Sequence, residues 1–249
     1  MRIDELPSIR HLPLFCNMAT ENFEALMRGA YSQSFPAGMQ LVEQGAPADF
    51  LFIVVEGAVE MYAGWGKRES TMGVIRPVGC FILAACIKDA PYLMSARTLQ
   101  PSKIVMLPAP DLRAVFRRDT EFAVSVINEL AGAFRTVIRH AKGLKLRDAR
   151  QRIAAYLLEQ SRYADNANSF VLQVEKRLIA SYLGMTPENL SRGLRQLETE
   201  GVRVKGMEVT VTDRDRLTEF AAPNVLLDGP DPEGSDGICL PPPTAIHPA

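Results

Sequence analysis

The chain has few histidines, few cysteines and no excess of positive charge: three His, four Cys, 28 Lys+Arg and 29 Asp+Glu in 249 residues. His11, His140 and His247 are scattered, and none stands beside a serine, cysteine or carboxylate in a catalytic pattern. No glycine-rich phosphate loop precedes a helix, so an enzyme is not expected. Cys16, Cys80, Cys86 and Cys239 form no close metal-ligand pair and no small disulfide scaffold, which fits a reducing compartment. No apolar run approaches bilayer-spanning length, and residues 1–10 are polar where a secretory signal carries an apolar segment. A cytoplasmic protein with no membrane partner is therefore expected. Charge is uneven along the chain. Residues 1–141 carry 14 Lys+Arg against 14 Asp+Glu, residues 142–222 carry 14 against 11, and residues 223–249 carry none against 4.

That mildly basic segment contains IASYLGMTPENLSRGLRQL, residues 179–197. Leu178, Ile179 and Leu183 make an apolar helical face, and Gly184 breaks the helix. Thr186 suits the N-cap of a second helix with Pro187 at its first position, where a missing N–H is harmless. In that helix Leu190, Leu194 and Leu197 fall on one side; Glu188, Ser191, Arg192 and Arg195 fall on the other. One face packs and the other presents a carboxylate, a hydroxyl and two guanidinium groups. A helix entering a DNA major groove needs that set, because arginine bridges guanine O6 and N7 and a carboxylate accepts from cytosine N4. An ordinary amphipathic hairpin with a solvated face has the same pattern. The flanks separate the two. Valines in residues 202–204 and 209–211 surround Lys205-Gly206 as a short hairpin, which makes the whole a winged helix-turn-helix with Arg203 and Lys205 in reach of phosphates.

Elsewhere the character changes by region. Residues 2–30 read as helical, with Phe23, Leu26 and Met27 as a face and Thr20 as a cap. Residues 31–108 lose helical periodicity. Glycines separate β-like runs at residues 39–43, 49–55, 59–62, 72–75 and 104–107, which predicts a sandwich or barrel. Residues 111–146 are helical again. Ile127, Leu130, Phe134, Val137, Ala141 and Leu144 recur at alternating three and four residues, the seam of a homodimer through residues 120–146 or of a helix packed on its own sheet. Residues 147–172 predict a further helix with Ile153, Tyr156 and Leu157 inward, then a polar loop at 165–169. Residues 223–249, rich in Pro, Gly and Asp, are expected to be disordered.

This order resembles the CRP/FNR superfamily of bacterial transcription regulators over residues 8–221. The motifs are FPAGMQLVEQGAPADFLFIVVEGAVEMY, LKLRDARQRIAAYLL and KRLIASYLGMTPENLSRGLRQLETEGV. The resemblance implies an α+β chain: a jelly-roll sensor domain of the cyclic-nucleotide-binding kind (residues 1–110), a dimerisation helix and hinge (111–146), and a winged helix-turn-helix (147–222), followed by the acidic tail (223–249). It implies double-stranded DNA and RNA polymerase as partners. Glu188, Ser191 and Arg192 match the E-x-x-S-R pattern of FNR-like branches, which implies an inverted repeat close to TTGAT-N4-ATCAA.

The sensor departs from its relatives. Where cyclic-AMP-binding members place Gly-Glu and Arg-Ser, this chain has Leu83-Ala84 and Met94-Ser95, and Arg97 is out of phase. A buried cyclic phosphate without its cation is disfavoured, so cyclic AMP is not expected. Cys16 stands alone where FNR proteins cluster cysteines, so neither is an iron–sulfur cluster. Phe81, Ile82, Leu83, Ala84, Ala85, Met94, Leu130 and Phe134 remain as an apolar lining. It is either plain core or a slot for haem. The resemblance is strongest to the dissimilatory nitrate respiration regulators, a branch that responds to nitric oxide and is proposed to use haem. His11 matches a histidine of that branch and is the candidate axial ligand; His140 is a weaker one, and His247 lies in the tail. Bound effector would move the β-roll against the long helix near Phe134, and the hinge at residues 142–145 would swing the recognition helices. The alternatives are a regulator without effector, its pocket filled by side chains, and a ligand-binding scaffold that has no use for the Glu188, Ser191 and Arg192 face.

Overall fold

The computed structural model describes residues 6–229 and the strand Thr244–Ala245; Cys239 and His247 lie outside the described residues. Two compact units divide inside one long helix, between Phe134 and Arg135.

The first unit opens with α1 (Leu6–Arg10) and α2 (Thr20–Arg28). Eight strands follow: β1 (Tyr31–Phe35), β2 (Gln40–Val42), β3 (Phe50–Glu56), β4 (Val59–Trp65), β5 (Arg68–Ile75), β6 (Gly79–Phe81), β7 (Ser95–Thr98) and β8 (Ser102–Pro108), with α3 (Leu83–Lys88) between β6 and β7. They form two four-stranded antiparallel sheets, in the orders β1-β8-β3-β6 and β2-β7-β4-β5. This is the sandwich the glycine-punctuated runs predict. In β3, Leu51, Phe52, Ile53 and Val54 are all buried although successive side chains point to opposite faces. The strand is therefore covered on both sides, which is why it reads as an unbroken apolar run. Gly57, at φ +94°, turns β3 into β4; a Cβ there would collide with the Pro101 carbonyl and the Ser102 backbone.

After the strands come α4 (Ala109–Arg118) and α5 (Thr120–Leu146). Two expectations are corrected here. The helix expected over 111–146 is two helices that break at Asp119. Thr20 does not cap α2: it is the first helical residue, and the N-cap is Ala19. Asp119 supplies the missing acceptor. Its Oδ2 accepts from the Ala19 N–H at 3.0 Å and the Asn22 amide at 2.8 Å, while its Oδ1 accepts from the Phe122 N–H at 3.0 Å. One buried carboxylate thus closes the starts of α2 and α5.

The second unit holds the end of α5, then α6 (Ala149–Tyr163), β9 (Ser169–Val171), α7 (Lys176–Tyr182), α8 (Pro187–Gln196), β10 (Val202–Lys205), β11 (Glu208–Val211), α9 (Arg214–Ala221), α10 (Val225–Asp228) and β12 (Thr244–Ala245). Asp148 and Gln151 form a reciprocal capping box at the start of α6. The strands make one antiparallel sheet, β10-β11-β9-β12. Buried Ile153, Leu157, Leu178, Ile179, Leu190 and Leu194 form its helical core. Within residues 223–249, the described elements are α10 and β12. Asp228 of α10 takes both guanidinium ends of Arg147, at 2.8 and 2.6 Å, and β12 pairs with β9. Among the described residues, no helix is long and apolar enough to cross a membrane.

Candidate nucleic-acid interface

α7 and α8 are joined by the tight turn the sequence predicts. Gly184 adopts φ +65°, and Leu144 lies 2.9 Å from where a Cβ would stand. Thr186 is the N-cap of α8, its side chain accepting from the Asn189 N–H at 3.3 Å, with Pro187 at the first position. Leu190, Gly193 and Leu194 face inward. At Gly193 a Cβ would meet the Ile153 side chain, so the missing side chain lets α8 lie close on α6.

The opposite face is exposed. Glu188, Arg192 and Arg195 are in solvent and Ser191 is half-buried. Together with Pro187 and Gln196 they border one open recess. The structure thus brings together every α8 residue the sequence assigned to the DNA face. The Glu188 carboxylate is held below the usual carboxylate range by hydrogen bonds from its own backbone N–H and from the Thr186 hydroxyl. It is an acceptor at neutral pH, as contact with a cytosine amine requires. Arg195 Nε lies 3.5 Å from the Ser191 carbonyl. Arg192 Nη2 donates to Asn189 Oδ1 at 2.9 Å. The sequence analysis did not assign Asn189; its signal is the three-residue spacing to Arg192. On the wing, Arg203 and Lys205 are exposed, and Lys205 pairs in register with Glu208 across the turn at Gly206.

The expected sensor residues do not converge in the same way. Leu83 and Phe81 belong to the buried core, and Met94 and Leu130 pack against it. Phe81 stacks on Phe52 with ring centroids 5.2 Å apart. Phe134 does not join them: it is 65 % exposed. His11 is also exposed, its Nδ1 donating to the Pro7 carbonyl at 2.6 Å. Haem, however, needs an apolar slot facing its ligand, and here Phe81 and Leu83 lie in the buried core while Phe134 and the His11 imidazole stand in solvent. These residues do not fit haem. His140 falls in the second unit, 4.5 Å from the Tyr182 ring, and burial, then Arg152, push its pKa down.

Ser95 and Arg97, which flank the stretch where cyclic-AMP-binding relatives hold the phosphate, have protein partners here. Ser95 Oγ accepts from the Gln44 N–H at 3.0 Å. Arg97 turns to the carboxylates of Glu60, at 2.8 Å, and Glu69, at 3.1 Å. Burial pushes the Cys80 and Cys86 thiols up to about 12, away from the thiolate form that ligates metal. Among the described residues, no three His, Cys, Asp or Glu side chains are placed to hold a metal ion.

A β-sandwich, a long helix and a winged helix-turn-helix with an exposed charged face define a two-module DNA-binding regulator. The two modules match two family models, the cyclic nucleotide-binding domain over residues 32–119 and the Crp-like helix-turn-helix domain over residues 151–220. The chain belongs to the CRP/FNR family of transcription regulators. It is 23% identical over 214 residues to the CRP-like cAMP-activated global transcriptional regulator of Mycobacterium tuberculosis, covering 84% of this chain and 96% of that one. It is 22% identical over 189 residues to the fumarate and nitrate reduction regulatory protein of Escherichia coli, covering 74% and 76%. The solved structure of FixK2 from Bradyrhizobium japonicum is similar at 25% identity, with a TM-score of 0.67 over 78% of this chain and 98% of that one. These relatives carry the names of regulators, not of enzymes.

Proposed function

We propose that two copies of this chain pair through α5 and place two α8 helices in the major groove of an operator close to TTGAT-N4-ATCAA, controlling genes of nitrogen-oxide or low-oxygen respiration together with RNA polymerase. The observation that carries the DNA reading is the division of α8 into a packed face and an outward face with Glu188, Ser191, Arg192 and Arg195. Arg192 suits a guanine, Glu188 a cytosine edge, and Lys205 and Arg203 the flanking phosphates. Pairing is supported by the apolar seam on α5, where Ile127 is 57%, Phe134 65% and Val137 59% exposed. Such a stripe in water calls for a partner surface, and a two-fold pair matches a palindrome. Fluorescence anisotropy with palindromic and scrambled duplexes at matched salt, beside sedimentation, tests this. Tight binding of the palindrome by a dimer is expected. A monomer, or equal grip on both duplexes, overturns the reading.

For the sensor unit the packing of Phe81, Leu83 and Met94 favours a regulator whose effector place is filled by its own side chains. It is set against the nitric-oxide and haem reading that the resemblance implies, and against cyclic AMP. Titration with hemin, nitric oxide and cyclic AMP separates them. No Soret band and unchanged operator affinity are expected; a Soret band with nitric-oxide-dependent binding, or a rise in affinity with cyclic AMP, overturns the filled-pocket reading.

A further inference from the structure

The recognition helix contains an electrostatic conflict. Glu188 and Arg192 are four residues apart on α8, the spacing at which a helical carboxylate and guanidinium attract each other. Joined, each would spend on the other part of the donors and acceptors, and the side-chain freedom, that contact with a base needs. Among the described residues no ion pair joins them. Each is held by an uncharged neighbour instead. Arg192 Nη2 donates to Asn189 Oδ1 at 2.9 Å. Glu188 is exposed, and hydrogen bonding to its own backbone N–H and the Thr186 hydroxyl lowers its pKa. The two arrangements meet at Asn189, whose N–H donates to Thr186 Oγ1 at 3.3 Å.

We propose that Asn189 is a positioning residue for base readout: its amide oxygen holds Arg192 away from Glu188, so that both reach the operator unpaired. The chemistry suits the task. An amide oxygen accepts one hydrogen bond without neutralising the guanidinium, and Arg192 keeps four of its five N–H donors for a two-bond contact to guanine. An aspartate in this place would form the very ion pair that silences the arginine, and an alanine would leave Arg192 to Glu188.

The inference rests on the DNA-binding reading, and the experiment separates the two. Wild type, Asn189→Ala, Glu188→Gln and the double variant are titrated with the palindrome and with a scrambled duplex at one salt concentration, after thermal melts confirm equal folding. Asn189→Ala should weaken palindrome binding by about two-fold per recognition helix, roughly four-fold for the pair, and leave scrambled-duplex binding unchanged. In the Glu188→Gln background the same substitution should have no effect, because the competing carboxylate is gone. A purely structural role, or a direct Asn189 contact to DNA, would persist in that background. Equal losses in both backgrounds, or no loss in either, overturn the inference while the DNA reading stands. A wild type that grips both duplexes equally overturns the DNA reading and the inference with it.

Discussion

Arg97 in the sandwich and Arg192 in the winged helix are the same side chain in opposite circumstances. Arg97 on β7 stands opposite Glu60 on β4, donates to it and to Glu69, and lies 4.2 Å over the Tyr62 ring. Glu60 is 1% exposed and also accepts from the Thr71 hydroxyl at 2.6 Å. Arg192 stands in solvent with one neutral partner. A guanidinium locked to a buried carboxylate has its charge matched inside the sheet. One held by an amide keeps its charge for a partner from outside. Arg97 thus completes its own unit, whereas the α8 face of the second unit leaves its charged groups outward.

Four substitutions break or sharpen that contrast. The largest effect is expected from Arg97→Ala, which strands the Glu60 charge in the sheet. The loss should be about 3–5 kcal/mol in denaturant unfolding, much of it recovered when Glu60 is also replaced by leucine. A loss well under 1 kcal/mol would mean that Arg97 is not structural. Arg192→Ala should leave the melting temperature unchanged and cost about 1–3 kcal/mol of operator affinity per half-site, relaxing selectivity at one base pair in competition binding.

Asp119→Ala comes next, at about 1–2 kcal/mol of stability, since it opens two helix starts. Its pH dependence follows from its surroundings. Burial alone would raise the carboxyl pKa, but bonds from the Phe122 N–H, the Asn22 amide and the Ala19 N–H outweigh it and leave the pKa below the ordinary 3.8. A group depressed in the folded state stabilises fully above its unfolded pKa, and that stability disappears as pH falls through the folded value. The wild type should therefore lose stability below about pH 4 more steeply than Asp119→Ala, as acid titrations of unfolding will read. The smallest effect is expected from Lys205→Ala: slightly weaker binding of every duplex, with the salt dependence reduced by about one phosphate contact per wing. A change in sequence preference would instead place Lys205 at a base.

The winged helix was legible because its signals are local. The Thr186 cap, Pro187, the Gly184 turn and the three- and four-residue spacing all act within a few residues. β3 was legible because burial on both faces demands an apolar run. β1, YSQSF, was not: it is a sheet edge with mostly exposed polar side chains, so no hydrophobic period marks it. Nor was β7, whose buried Ser95 and Thr98 serve the distant backbone of Gln44 and Met39. The break at Asp119 escaped for the same reason, because two of its three partners lie about a hundred residues away.

Local chemistry alone therefore settled that this chain carries a helix with a packed side and an exposed charged side, since periodicity and capping are properties of neighbours in the chain. Only tertiary structure decided which apolar residues are core and which await a partner. Phe81 and Phe134 are both aromatic residues in apolar settings, yet one is stacked on Phe52 and the other lies in water. The hydrophobic effect rewards covering either ring. What does the covering depends on contacts between residues far apart in sequence, which no short window contains.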